Sequence, residues 1–437
     1  MHGAANQADA ADRLAIRMRG LTLALLTATY FFSFMDRQIL AILLEAIKAD
    51  LKLSDAQLGL LSGLVFAIFY ATLGLPIARL ADRSSRRNII AISLALWSIM
   101  TALCGFAQNF TQLMLARIGV GVGEAGAGPP SQSIIADLYP PEKRASAMAI
   151  YSLGVLLGGG LGMAIGGFVS HAYGWRVAMM VVGLPGVALA FFIRLFVVEP
   201  RRGLSDAATT PAATQDDMPS MLEGFSALIR TPAALHLVAA MTITSLIGYA
   251  VTGWGPSYMQ RSLGMTVLDV SKYVALPAAV VGGLSALAGG KLADRAARRQ
   301  GIYAQSWVVA GMKLVAFPFA LAFYFIDHLV LALGSYFVAT IFAGAYIGPT
   351  YAMIQHLAPL RMRAVWAAIT LLCVSLLGLG IGPYLVGVIS DQLRPAYGGE
   401  SLRWAMFSVA LLTPWGIFHY WRAGVLMKRI ERPDLGM

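Results

Sequence analysis

Leu80-Ala-Asp-Arg-Ser-Ser-Arg-Arg87 closes one long apolar block of this chain, and Leu292-Ala-Asp-Arg-Ala-Ala-Arg-Arg299 closes another. The duplication extends further. Gly128-Pro129, Leu138-Tyr-Pro140 and Arg144-Ala145 recur as Gly348-Pro349, Leu357-Ala-Pro359 and Arg363-Ala364. A chain whose second half repeats its first in the same order, with bilayer-length apolar blocks between the repeats, reads as two bundles related by an axis along the membrane normal. The path for a substrate is then expected between them.

Working outward, the composition agrees with lipid as the solvent. Of 437 residues 58% are hydrophobic and only 13% charged, with 45 glycines and a mean hydropathy of +0.69. A soluble domain carries roughly a quarter charged residues. About 20 apolar residues cross the hydrocarbon core, and twelve such blocks are legible: 21–44, 57–81, 87–107, 110–136, 146–170, 177–198, 233–259, 270–293, 302–325, 329–356, 363–390 and 403–426. The expected class is all-α and integral to the membrane, with twelve transmembrane helices in two six-helix bundles. The first block is too long for the apolar core of a cleavable signal and reads as a retained span.

The net charge of +11 does not point to nucleic acid, because Lys and Arg stand in short clusters between apolar blocks. They serve as topology signals. Twenty-two of the 33 fall on the side of the termini, six on the opposite side, and the rest within or at the edges of spans. Positive charge stays inside, so both termini are expected in the cytoplasm. The resulting organisation is a cytoplasmic tail over 1–20, a bundle over 21–198, a cytoplasmic linker over 199–232, a second bundle over 233–426 and a tail over 427–437. Within the linker Leu222, Phe225, Leu228 and Ile229 share one helical face, as in an interfacial amphipathic helix or a solvated one.

The duplicated Asp-Arg-x-x-Arg-Arg segments resemble the signature loop of the major facilitator superfamily. That resemblance implies gating roles for Asp82, Arg83 and Arg86 and for Asp294, Arg295 and Arg298. Positive-inside anchoring alone accounts for the arginines but not for an aspartate at the same place twice.

Ionisable residues at membrane depth are costly and are functional candidates for that reason. Asp36 and Glu124 are the carboxylates well inside predicted spans, on helices one and four, with Arg37 beside the first and Arg117 two turns before the second. Glu124 sits in the glycine-rich run Gly121–Gly128, where small residues permit close helix approach. Burial favours a protonated carboxyl and a nearby Arg the ionised form, so opening or closing a cavity there would switch proton affinity. Adjacent helical residues point about 100° apart, and only one of Asp36 and Arg37 is expected to face the central cavity. The alternative is a static charge network joining helices one and four.

Further motifs carry a closer resemblance: Tyr30 to Arg37 with Met-Asp-Arg, Leu60-Leu61, Leu80-Ala-Asp-Arg83, Arg117 to Ala125 with Gly-Glu-Ala, Ile134-Ile-Ala-Asp-Leu138 and Gly158-Gly-Gly-Leu-Gly162. Over residues 30–167 the chain resembles the Spinster family of lipid transporters. The resemblance implies proton-coupled transport of lysophospholipids or sphingoid phosphates, with Asp36 and Glu124 binding protons and Arg37 partnering Glu124 or a phosphate head group. Organic anion and cation symporters of the same superfamily share the Asp-Arg and Glu-Ala pairs, so a proton-coupled symporter of small organic anions is the alternative.

Tyr249, Thr252, Trp254 and Tyr258 on span seven are candidates for the cavity wall. Lys313, near the middle of span nine, receives no role. The six histidines show no ligand spacing, and Cys104 and Cys373 both lie in apolar blocks, so no metal site or disulfide framework is expected. The glycine runs lack the Gly-Lys-Ser/Thr ending of a nucleotide loop, and no nucleophile stands at workable spacing from a base, which argues against a membrane enzyme. The expected partners are an amphipathic lipid substrate, protons and the bilayer, with no cofactor and no nucleic acid, in a monomer of a bacterial inner membrane.

Overall fold

Apolar blocks bounded by helix-capping residues fold as helices. In the computed structural model, which describes residues 12–205 and 220–431, they do so throughout. The expected tail over 1–20 is described from residue 12, the linker outside 206–219 and the last tail only to 431; the rest of each lies outside the described residues. The first spans are α1 (Arg19–Leu51), α2 (Asp55–Arg83), α3 (Arg86–Cys104), α4 (Phe110–Glu124), α5 (Gly128–Leu138) and α6 (Pro141–Phe196). Ser54, Ser85 and Asn109 start helices by accepting from backbone N–H groups of the first turn. A 56-residue helix is about 80 Å long, more than twice the hydrocarbon thickness. Gly174, at φ +84, breaks α6 into two crossings.

The second half contains α7 (Met221–Ile229), α8 (Pro232–Ser262), α9 (Val267–Gln300), α10 (Tyr303–Phe325), α11 (Leu329–Ala343), α12 (Ile347–Leu357), α13 (Arg363–Cys373), α14 (Gly382–Tyr397), α15 (Ser401–Ala410) and α16 (Thr413–Glu431). A π-helical stretch, Val374–Ile381, carries α13 into α14. Spans four and ten, expected as single helices, are each interrupted, at 125–127 and at 344–346. Pro129 and Pro130 cannot donate to the turn before them, so span four restarts at Gly128. Leaving out the short α7, and counting α4 with α5, α11 with α12, α13 with α14 and α15 with α16 as one crossing each and α6 as two, the described helices supply the twelve crossings expected.

Two compact units emerge, and neither is continuous in sequence. Among the described residues, unit 1 comprises 12–53, 65–205 and 266–276; unit 2 comprises 54–64, 220–265 and 277–431. In unit 1 α1 lies along α6. Gly158 permits this, since a Cβ there would fall 2.2 Å from the Phe31 carbonyl oxygen, and Gly154 and Gly162 meet α1 similarly. Gly121 and Gly123 likewise face the backbones of Phe66 and Trp97. The glycine runs are therefore helix-packing surfaces. In unit 2 the core gathers Leu237, Tyr303, Met353, Trp366 and Tyr420, and Leu228 of α7 is buried with them while Leu222, Phe225 and Ile229 stay exposed. Side chains such as Phe191, Leu195, Leu284, Leu287, Val330 and Leu331 are more than half exposed. Apolar surface on this scale belongs against lipid.

Candidate functional site

Helices α1 and α4 bring the expected carboxylates and arginines of unit 1 together. Glu124 is the last residue of α4, immediately before the break in span four, and is buried. Its Oε2 accepts from Arg37 Nε at 2.7 Å and from Ser33 Oγ at 2.7 Å. Ser33 and Arg37 lie one turn apart on α1, which is how one helix presents two donors to one oxygen. The other oxygen, Oε1, has no hydrogen-bond partner among the described residues.

Asp36 points elsewhere, as its 100° offset requires. Thr101 of α3 donates to its Oδ2 at 3.1 Å, while Oδ1 has no hydrogen-bond partner among the described residues. The charges of Glu124 and Arg117 both act on it. Arg117 is buried, with its guanidinium 5.5 Å from the Phe66 ring. Arg37 is the member with open surface, its side chain 16% exposed. Its guanidinium lies over Phe34, Phe66 and Tyr70 at 5.1, 4.8 and 4.8 Å. Aromatic faces attract a cation and remain apolar, so Arg37 combines a fixed positive charge with walls that suit a hydrocarbon chain.

Ser33, Thr101, Phe66 and Tyr70 escaped the sequence reading. Phe66 and Tyr70 share one face of α2 at helical spacing, a pattern that any packed helix shows; nothing local marked it.

Span seven supplies less than its residues suggested. Trp254 and Tyr258 are fully buried within unit 2; the indole donates to the Pro383 carbonyl at 2.8 Å and the phenol to that of Phe323 at 3.0 Å. Packing consumes both rings, which corrects the expectation that they line a cavity. Tyr249 is half-buried and Thr252 exposed, the Thr252 hydroxyl donating to the Gly248 carbonyl.

The two signature loops differ. Arg86 is buried, donating to Asp137, to Glu199 at 2.8 Å, to Ser133 and to the Pro200 carbonyl. Glu199 also accepts from Ser85 and from the Arg87 N–H. Burial pushes the Glu199 carboxyl up, but these donors outweigh it and hold it below the usual carboxylate value. Asp82 and Arg83 are exposed, Asp82 only 3.8 Å from Arg202. In the second copy Asp294, Arg295 and Arg298 are exposed, with no hydrogen bond or ion pair among the described residues.

Unit 2 contains two clusters that the sequence did not announce. Asp55 at the start of α2 is buried, paired to both terminal nitrogens of Arg261 at 2.8 Å and to Ser390, while Asp391 accepts from the N–H groups of Asp55 and Ala56. An Asp following Ser54 reads as a helix-start residue; its partners, more than 200 positions away, carried no local signal. His236 and His419 also meet, Nδ1 to Nδ1 at 2.7 Å, a contact that their spacing along the chain does not show. No group of three or more metal-ligating side chains occurs among the described residues.

A twelve-span chain in two units, with a duplicated loop, a buried carboxylate at a helix break and a second inside an unbroken span, is a transporter. The model of the Major Facilitator Superfamily matches residues 26–383, and the chain belongs to it. An "MFS-type efflux pump" of Mycolicibacterium smegmatis is 33% identical over 98% of this chain and 97% of that protein. Protein spinster homolog 1 of Xenopus tropicalis is 30% identical, covering 83% and 71%, and a sphingosine-1-phosphate transporter of Danio rerio is 26% identical, covering 86% and 77%. A crystal structure of a bacterial homologue of the human lysosomal transporter Spinster, inward-facing and unoccupied, superposes with a TM-score of 0.83 at 29% identity, covering 94% and 97%. Within the superfamily, the chain belongs to the Spinster family.

Proposed function

We propose that this protein is a proton-coupled transporter of lysophospholipid- or sphingoid-phosphate-like lipids that works by alternating access in a bacterial inner membrane. The carrying observation is the Glu124 carboxylate, one oxygen held by Arg37 and Ser33 and the other without a partner. A buried carboxylate oxygen lacking a donor is costly when ionised and acceptable as the O–H of an acid. Protonation at Oε1 removes the charge that holds Arg37. The released guanidinium then binds a phosphate head group, for which its planar fork is suited. Phe34, Phe66 and Tyr70 supply an apolar wall for the chain beyond the head group. Asp36 is the second proton carrier, with Arg117 as its charge partner. Each pH unit of gradient is worth about 1.4 kcal/mol and each 100 mV about 2.3 kcal/mol per charge, so one proton is enough to bias the exchange between Arg37 partners.

The similarity to a named sphingosine-1-phosphate transporter and to Spinster proteins supports the lipid substrate. Protons, the lipid and the surrounding bilayer are the partners of a working monomer. The test is proton flux into proteoliposomes driven by a lysophospholipid or sphingoid phosphate against small carboxylates. Lipid-stimulated flux lost in Glu124→Gln is the expected result. Flux driven by carboxylates alone would move the substrate class to small organic anions and overturn the lipid assignment.

A further inference from the structure

We propose that Lys313 is a proton-binding site of unit 2, the counterpart of the Glu124 site in unit 1, its ε-amine taking up one proton as the ammonium and returning it as the neutral amine.

The internal repeat locates the site. The alignment of Gly128-Pro129 with Gly348-Pro349 carries Gly123 onto Ala343 and Gly126 onto Tyr346. Gly123 packs against Trp97 and Gly126 against Ser93, both on span three. Ala343 and Tyr346 instead meet Lys313 on span nine, whose Nζ donates to the Ala343 carbonyl at 3.3 Å and lies 4.6 Å from the centroid of the Tyr346 ring. The offset that carries Leu80 onto Leu292 carries Ser33 onto Ser245. Ser33 bonds Glu124, and Ser245 bonds the Tyr346 hydroxyl at 3.0 Å. Both units thus place a hydroxyl from their first helix and a titratable residue at the break in their fourth, with different chemistry at the same junction.

The surroundings of Lys313 suit a switch rather than a static charge. It is the eleventh of 23 residues in α10, too deep to reach the interface, and only 7% exposed. Val309, Met312, Phe342 and Ala345 line the space about the amine. An ammonium has three donors, and here one carbonyl and one ring receive it. Ala343 ends α11, where the helix dipole favours a cation; the protonated form is therefore tolerated without a carboxylate.

On α11 the Tyr336 ring packs on Phe323, 5.3 Å between centroids, α12 carries Tyr351 and His356 beyond the break, and the charged groups on α15 and α16 are engaged elsewhere. Arg403 on α15 pairs with Glu400 and Asp327. On α16, Glu431 accepts from the N–H groups of Ile302 and Tyr303, Lys428 lies over Trp307, Arg422 acts on His236, His419 meets that same ring, and the Tyr420 hydroxyl meets Thr350. Tyr346 is the titratable group that faces the amine, and no charged neighbour acts on it among the described residues. Tyr346 is also bonded to α8, so displacement of α8 against the span-ten break alters the contacts that hold the ammonium.

The test needs no substrate and is independent of the lipid assignment. The full chain is reconstituted in liposomes on a solid-supported membrane, and the transient charge moved by a pH jump is recorded. The protein carrying both Asp36→Asn and Glu124→Gln is expected to retain a transient, and adding Lys313→Met or Lys313→Arg, one never charged and one always charged, should reduce it to that of protein-free liposomes. In the otherwise unaltered chain Lys313→Arg should lower the moved charge, which decides the matter where the multiple variants do not fold. A charge unchanged by Lys313 replacement, or no transient left once the carboxylates are gone, overturns the proposal. Failure of lipids to stimulate proton flux would leave this transient in place.

Discussion

Unit 1 and unit 2 carry the same Asp-Arg-x-x-Arg-Arg loop, and the two copies stand in different states. Arg86 is buried among Asp137, Glu199, Ser133 and a carbonyl, whereas Arg298, its counterpart in the repeat, lies exposed. The difference lies in the partner. Asp137-Leu138 of span four aligns with His356-Leu357 of span ten, so the second copy lacks the carboxylate at that place. A loop motif supplies arginines, and whether they lock anything depends on acids contributed from other helices. The same divergence marks the membrane interior: unit 1 holds its charge as Glu124 with Arg37, unit 2 as Lys313 against a carbonyl and a ring.

The sharpest way to break this contrast is at Glu124. Glu124→Gln keeps the Ser33 hydrogen bond but removes the charge facing Arg37, and substrate-driven proton flux is expected to fall to background while the protein still folds. Retained coupling would place the proton on another group.

Stability should separate the two loops next. Arg86→Gln leaves two acids without their cation and should cost about 3–5 kcal/mol; Arg298→Gln should stay within about 0.5 kcal/mol. Thermal unfolding in detergent reads both, and equal losses would show that the loops are equivalent after all. Helix packing offers a similar contrast at lower cost. Gly158→Ala drives a methyl into the Phe31 backbone and should destabilise by about 1–3 kcal/mol, while Gly248→Ala in α8 has open space and should be neutral or slightly stabilising.

Smaller effects sharpen the picture. Arg37→Lys keeps the charge and loses the fork, so affinity for a phosphate-bearing lipid should fall about tenfold, or ~1.4 kcal/mol, as measured by titration of binding. A loss confined to small carboxylates would count against the lipid reading. Glu199 has its folded-state proton affinity lowered, so its stabilising contribution is present above the ordinary carboxylate value and is lost as pH falls through the depressed one. The unfolding-temperature advantage over Glu199→Gln should therefore be full at neutral pH and shrink on acidification; an advantage independent of pH would show that Glu199 acts through packing alone.

Much of the fold was legible because membrane spans are written as long apolar blocks and the repeat fixes their pairing. The breaks at 125–127 and 344–346 were less visible, since helix interruption depends on what neighbouring helices accept as well as on proline. At the site, Asp36, Glu124, Arg37 and Arg117 stood out because charge in an apolar block is costly. Their partners did not: Ser33, Thr101, Phe66 and Tyr70 are ordinary in such helices. Trp254 and Tyr258 had the composition of a cavity wall and became packing groups, because their polar atoms found carbonyls of Pro383 and Phe323.

By itself the sequence determined the solvent, the twelve spans, the duplication and the charges that must be explained, since each is a property of residue type and spacing along one chain. Only the tertiary structure decided which charges meet. Asp55 with Arg261, Arg86 with Glu199, His236 with His419 and Lys313 with Tyr346 are joined across separations that no local pattern encodes. A hydrogen bond or ion pair depends on a few ångströms between side chains, and folding rather than spacing sets that distance.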